Sequence, residues 1–400
     1  MENPLKYFAE LRDPRVERNR EHLLEEILLI SIAAVLSGAE SWNDIAEYGE
    51  DKLEWLKRFL TLPSGIPSHD TFNRVFAALD PEEMEKGFVA WVSSIAKLTA
   101  GEVVAIDGKA LCGTRETGKK TLVHMVSAWA EGNGLVLAQR KVDEKSNEIT
   151  AIPKLLNALE LTGTVVTIDA MGCQREIAKR IIEKKADYVL AVKGNQGLLA
   201  EQVRDSFLLL ESDAVAEEID CGHGRVEQRK CSVIADLSLI DKSAEWASLQ
   251  GLGRIESERY HKATGKTERE IRYYITSLRA DAARLNSVIR QHWGIENKLH
   301  WVLDVGFGED LDRKRAGHAA QNFSVLNRIA LNLLKQDKSS KRGIKGKRLK
   351  AAWNHPYLLK LIGIWYASAL PSRLMALAVR GNCAMDPRGS ASVEGVLSQP

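Results

Sequence analysis

Two stretches of the chain, EVVAIDGKAL at residues 102–111 and TVVTIDAM at residues 164–171, have the same form: a short apolar, β-branched run closing on an aspartate. Each predicts a buried strand with its acid, Asp107 or Asp169, at the C-terminal edge. A carboxylate in that position is costly unless it is paired or binds a cation. Taken singly, either aspartate is explained as the cap of the next turn. If the two strands are sheet neighbours, both carboxylates converge on one crevice, and the repeated placement points to a metal site.

Outward from these strands, LVHMVSAWA and GLVLAQRKV add two more β-rich runs, joined by the hairpin signal Glu131-Gly132-Asn133-Gly134. The pattern then alternates: helix in NEITAIPKLLNALE, strand in TVVTIDAM, helix in REIAKRIIEKK, strand in DYVLAVK. Three antiparallel strands followed by alternating helix and strand predict an α/β fold with a mixed sheet of ribonuclease-H-like order over residues 99–201. Residues 1–98 read as a small all-helical domain, with Ser68 capping the segment HDTFNRVFAAL. That domain is either of helix-turn-helix type, with His69, Asn73 and Arg74 reaching DNA, or a bundle packed on the rest of the chain. Residues 202–281 read as a β-rich insertion, with Gly222, Gly224, Gly251 and Gly253 at turns. Helices return over 282–370, where Lys338 to Lys350 carries seven basic residues and no acid. Such a run reads as a solvated tail or as a phosphate-contacting segment. Residues 371–400 are polar and read as a disordered tail.

The chain has 400 residues, 44% hydrophobic and 28% charged, with 56 basic against 54 acidic residues and a net charge of +2. This excludes a disordered or fibrous protein and predicts two or three structural units. The charge balance neither requires nor excludes nucleic acid. The longest apolar tract, Ile27 to Leu36, is too short for a membrane span and follows a charged start, which predicts no signal peptide and no membrane partner. Five scattered cysteines without a Cys-x-x-Cys pair suit a reduced, cytoplasmic protein, and a zinc site from Cys221, His223 and Cys231 is disfavoured by the spacing.

A third set of candidates lies in IRQHWGIENKLHWVLDVGFGEDLDR. On one helix, His292, Glu296, His300 and Asp304 recur every four residues and share a face, flanked by Trp293 and Trp301. A solvated polar face explains the stripe; the sharper reading has Glu296 facing the two aspartates. Three carboxylates favour a hard cation, Mg²⁺ or Mn²⁺, and phosphodiester chemistry. A metal hydrolase built on His292, Glu296 and His300 lacks a His-Glu-x-x-His motif and leaves both strand-end aspartates unexplained. Should Glu296 lie on the wrong side of the sheet, Asp304, Glu309 and Asp310 are the next acids to consider.

The motifs AIDGK, TIDAMGCQ, DYVLAVKGNQ, HGR and RQHWGIENKLHWVLDVGFGED resemble those of bacterial insertion-sequence DDE transposases, the H-repeat-associated subgroup in particular. The resemblance runs from LRDPR and SGAESW through GIPSHDTFNRVF to about Lys360. It implies a ribonuclease-H-like catalytic core interrupted by the insertion, with Asp107, Asp169 and Glu296 as the catalytic, metal-holding acids. It implies a transposase that binds terminal inverted repeats and target DNA, cleaves and transfers strands, works as a dimer in the DNA complex, and resides in the bacterial cytoplasm at the nucleoid. The arginine and lysine that many relatives place four before and seven after the third acid are here His292 and Leu303, so Arg290 and His292 stand in for the arginine. Lys109, Lys193, Asn195, Gln196, His223 and Arg225 join them as candidate DNA contacts. The alternative is a catalytically retired transposase that only binds DNA.

Overall fold

The computed structural model describes residues 1–114, 122–142, 147–222 and 224–364; His223 and the tail from 371 onward lie outside the described residues. Five helices open the chain: α1 (Leu24–Ser37), α2 (Trp42–Asp51), α3 (Leu53–Leu56), α4 (His69–Ala78) and α5 (Pro81–Ile95). Local chemistry sets their ends. Ser41 and Asp44 close a reciprocal capping box on α2, the Ser68 hydroxyl accepts from Thr71 N–H at α4, and Asp80 with Pro81 starts α5.

The strands β1 (Val103–Leu111), β2 (Val123–Ala130) and β3 (Leu135–Lys141) form an antiparallel meander. Then come α6 (Glu148–Asn157), β4 (Val165–Ile168), α7 (Arg175–Glu183), β5 (Asp187–Val192) and α8 (Gly197–Leu209). Four long strands follow: β6 (Ala214–Gly222), β7 (Arg225–Ile234), β8 (Gly251–His261) and β9 (Lys266–Thr276). All nine belong to one mixed sheet of order β3-β2-β1-β4-β5-β9-β8-β7-β6, in which β1, β4 and β5 run parallel. Residues 202–281 thus extend the central sheet, because β9 pairs antiparallel with β5. Gly251 and Gly253 are not turn residues: both lie within β8. Gly253 serves the packing there, since a Cβ at that position would stand 2.5 Å from Leu285 Cδ2.

The chain continues in α9 (Ala282–His292), α10 (Trp301–Phe307), α11 (Ala319–Gln336), α12 (Ile344–Trp353) and α13 (His355–Ile362). Side chains alternate across the sheet. Val103, Val165 and Val189 join Leu285, Val288 and Ile289 of α9, while Val104, Val166 and Leu190 join the main core. That main core also takes in Ile27, Phe72, Phe88 and the apolar face of α11, so the N-terminal helices and the sheet share one interior. The α4 helix buries Phe72, Val75 and Phe76, the carbonyls of Phe76 and Leu79 accept from the Asn322 amide of α11, and His69 and Arg74 stay exposed.

The basic run from Lys338 is no solvated tail. It forms α12, whose Lys347 and Arg348 are buried. Lys347 Nζ donates to the carbonyls of Leu334 and Asp337 at 2.7 and 2.6 Å. The Arg348 guanidinium donates to Val35 O and Ala39 O, each at 3.0 Å, and to Gly306 O, tying α1 to the end of α10. Arg348→Met keeps the apolar stem but strands three buried carbonyls. We expect the urea midpoint of folding to fall by the equivalent of roughly 2–4 kcal/mol, the scale of a broken buried network; an unchanged midpoint would show that water replaces the guanidinium.

Candidate functional site

The parallel register sets Ile106 beside Ile168, so Asp107 and Asp169 follow at adjacent strand positions. Asp169 leaves the sheet at once, its carboxylate accepting from Met171 N–H at 3.1 Å as the cap of a single 3-10 turn. Asp107 is not at a strand end as the sequence implied: β1 runs on to Leu111 because its pairing with β2 continues past the end of β4, and Asp107 sits opposite Ser127 with about a fifth of its side chain exposed. Its carboxyl is pushed up to about 7, first by burial and next by the charge of Asp169; a hydrogen bond from Gly108 N–H opposes this, and Glu148 and Glu296 add further repulsion.

Glu148 is an acid that the sequence patterns did not single out. It opens α6, and its carboxylate presses against the backbone at Gly108, where any Cβ would collide with Glu148 Oε1. Its own carboxyl is raised by burial and then by Asp169. The glycine after the first aspartate thus admits a fourth carboxylate to the cluster. The one signal in the sequence was that glycine.

The stripe from His292 to Asp304 does not lie on one regular α-helix. The helix α9 ends at His292, Trp293 caps it, and Glu296–His300 form a π-helical turn before α10. The stripe nevertheless tracks β1 and β4. His292 Nδ1 lies 2.9 Å from Thr167 Oγ1 on β4, His300 Nδ1 lies 3.5 Å from Asp107 Oδ2, and Asp304 pairs with Lys109 of β1. Glu296, between the histidines, is exposed and near enough for its charge to act on Asp107. Both imidazoles are pushed down to about 4 and are neutral: His292 by burial and then Arg272, His300 by burial and then Lys109 and Arg328.

Other candidates have defined partners. Lys109 is buried and reaches Glu309 and Asp310 at 3.6 Å besides Asp304; Glu309 in turn pairs with the fully buried Arg328. Asp304, Glu309 and Asp310 are therefore engaged in an ion cluster around Lys109. Arg290 turns toward β6, pairing with Asp220 and with Glu218 at 3.4 Å. The amides of Asn195 and Gln196 donate to Ala170 O and Cys173 O at 2.7 and 2.8 Å, bracing the loop after Asp169. Lys193 and Arg225 are exposed. The face of Trp293 is covered by the Arg272 guanidinium, 4.1 Å from the ring centroid, whereas Trp301 is exposed.

The donor set at Asp107 is oxygen-rich and carries excess negative charge, which suits a hard divalent cation. Among the described residues, no group of three or more His, Cys, Asp and Glu side chains is drawn together as a ligand shell. Among the described residues, no helix is long and apolar enough to cross a membrane.

A family model described as "Transposase DDE domain" matches residues 99–333, and one described as "DDE_Tnp_1-associated" matches residues 5–92. A protein of Escherichia coli O157:H7 named "Putative transposase YncI" is 42% identical over 90% of this chain and 94% of its own length. The "H repeat-associated putative transposase YhhI" of Escherichia coli K12 is 40% identical over 90% of this chain and 97% of its own length. A shorter K12 protein named "Inactive transposase YbfQ" is 52% identical over 14% of this chain and 64% of its own length. With Asp107 and Asp169 in the matched domain and similarity along nine-tenths of its length, the chain belongs to the bacterial DDE transposases of the H-repeat subgroup.

Proposed function

We propose that the chain is a DNA transposase that binds the terminal inverted repeats of its own element, hydrolyses the phosphodiester at the element's end, and uses the freed 3′-hydroxyl to attack target DNA. The observation that carries the reading is the pairing of β1 with β4, which sets Asp107 and Asp169 side by side with their repulsion uncompensated. The order β3-β2-β1-β4-β5 supports a ribonuclease-H-like core. The DDE family generally uses divalent metal ions. Asp107, Asp169 and Glu296 would hold Mg²⁺ or Mn²⁺, with Glu148 adding charge from the α6 side. A cation bound there supplies an activated attacking oxygen and a stabilised leaving oxygen.

The surrounding residues orient this site. Thr167 and His292 fix the end of α9, Lys109 draws Asp304 onto β1, and the π-helical turn presents Glu296 between them. Asn195 and Gln196 hold the loop that carries Asp169. Exposed Lys193 and Arg225 are suited to phosphate contact. The helical region 1–98 is the reader of the element's ends, with Asn73 and Arg74 of α4 as base or phosphate contacts. Two ends must be cut together, so the active species is a dimer on DNA.

A retired, DNA-binding-only protein is the second reading, favoured by the relative named inactive. Cleavage of DNA carrying the element's ends separates the two. Asp107→Asn and Asp169→Asn should lower cleavage by several orders of magnitude while end binding stays near wild type. Equal, background cleavage by wild type and variants would favour the retired protein.

End reading by α4 has its own test. Asn73→Ala with Arg74→Ala should shrink the affinity ratio between terminal repeats and unrelated DNA, because base contacts are lost along with phosphate contacts. An unchanged ratio would move recognition off α4.

The raised carboxyl of Asp107 sets a pH dependence. Its pKa in the folded chain lies above the ordinary value of 3.8, so the folded state keeps its proton to higher pH. Stability linked to this group is therefore present at low pH and lost as pH rises toward about 7. In metal-free buffer, wild type should lose stability relative to Asp107→Asn across that window, and added Mg²⁺ above it should restore wild type only. Parallel pH profiles of the two proteins would refute the uncompensated charge.

A further inference from the structure

Away from the acids, the surface between the loop before α12 and the end of that helix is an open cleft of about 650 Å³. Its lining includes Ser339, Lys341, Arg342, Lys350, Trp353 and Asn354 and contains no carboxylate. Two independent features mark it. The first is charge. Within the basic run, Lys347 and Arg348 are consumed by buried carbonyls, whereas Lys341, Arg342 and Lys345 are exposed and have no carboxylate partner among the described residues. The nearby acid, Asp337, is spent internally: it accepts from Ser339 and from the Tyr357 hydroxyl and faces Lys347 and Lys360. At the start of α12, Gly343 supplies no side-chain cap, so the first-turn amides next to Arg342 add their partial positive charge.

The second feature is an exposed aromatic. Trp353 ends α12 with 72% of its surface exposed, whereas Trp42, Trp55, Trp91, Trp129 and Trp246 are buried. A large apolar ring left in water beside unpaired cations matches the two demands of an unstacked nucleotide, a phosphate to neutralise and a base to cover. Lys350, 4.3 Å over the Tyr357 ring, is held on the wall between them.

We propose that this cleft is a second DNA-contact surface, in which Lys341 and Arg342 take backbone phosphates and Trp353 stacks on an unpaired base. The proposal rests on the transposase reading for its ligand but not on the acids.

The test uses the full-length chain and fluorescence-labelled oligonucleotides bearing the element's terminal repeat, as duplex and as duplex with a single-stranded flank. Affinity is measured over a salt series. Lys341→Gln with Arg342→Gln should lower affinity for both DNAs and reduce the slope of log affinity against log salt by about two, one for each lost phosphate contact. Trp353→Ala should weaken the flanked DNA about tenfold and leave the duplex nearly unchanged. A charge-matched control, Lys179→Gln with Lys185→Gln on the exposed surface at α7, should behave as wild type, and unfolding midpoints of all variants should agree. Wild type that binds no DNA would sink the transposase reading itself. Wild-type binding with unaltered slope in the double variant would overturn the cleft alone, and an unchanged flanked-DNA affinity in Trp353→Ala would overturn the stacking role.

Discussion

Two like charges forced together at the edge of a parallel strand pair are the constraint on which the site is built. The register that sets Ile106 against Ile168 leaves no freedom in where Asp107 and Asp169 begin. Neighbouring strands lie only about 5 Å apart. Burial and mutual repulsion then raise the carboxyl of Asp107, and the approach of Glu148 across Gly108 deepens the effect. A fold tolerates this only where another term offsets it, either a retained proton or a cation. The same arrangement that costs stability therefore creates affinity for positive charge.

The helical wall over β1 and β4 is positioned by a second, buried set of charges. Lys109 leaves β1 two residues after Asp107, and its ammonium is surrounded by Asp304, Glu309 and Asp310, with Arg328 behind Glu309. Burying such a group is costly for each member, and removing one partner leaves an uncompensated charge. The cluster specifies position: α10 is fixed against β1 at Asp304, α9 against β4 at His292, and the backbone between them must take up the mismatch. The π-helical turn at Glu296–His300 does so. That turn begins at Glu296, which is exposed and near enough for its charge to act on Asp107. Lys109, read from the sequence as a phosphate contact, is thereby occupied within the protein.

What could be read from the chain alone depended on whether the cause was local. The strands carrying Val103–Ile106 and Val165–Ile168, the Ser68 cap and the meander with its Asn133-Gly134 turn follow from composition and alternation over a few residues; that β1 continues past Asp107 to Leu111 does not, because it depends on pairing with β2. Glu148 did not stand out, because its importance comes from a glycine 40 positions earlier in the sequence that carries no side chain to exclude it. Gly253 of β8 mimics a turn residue, since a helix packing against a strand demands the same small residue as a tight bend. The basic run misled for a related reason: Lys347 and Arg348 are satisfied by carbonyls, some more than 300 residues away, and carbonyls leave no trace in a charge pattern.

These long-range ties bear on how recognition and chemistry communicate. Arg348 joins α1 to the end of α10, and Asn322 joins α4 to α11. The N-terminal helices also share their apolar interior with the sheet. Interiors packed at this density are stiff and do not let one layer swing freely on another. On the proposed reading, a DNA end gripped by α4 is held at a set position relative to Asp107 and Asp169, without a linker to search through. Substrate positioning is then paid for largely during folding, and a loosened contact at Arg348 would reach the chemistry through geometry, though it touches neither DNA nor any acid of the cluster.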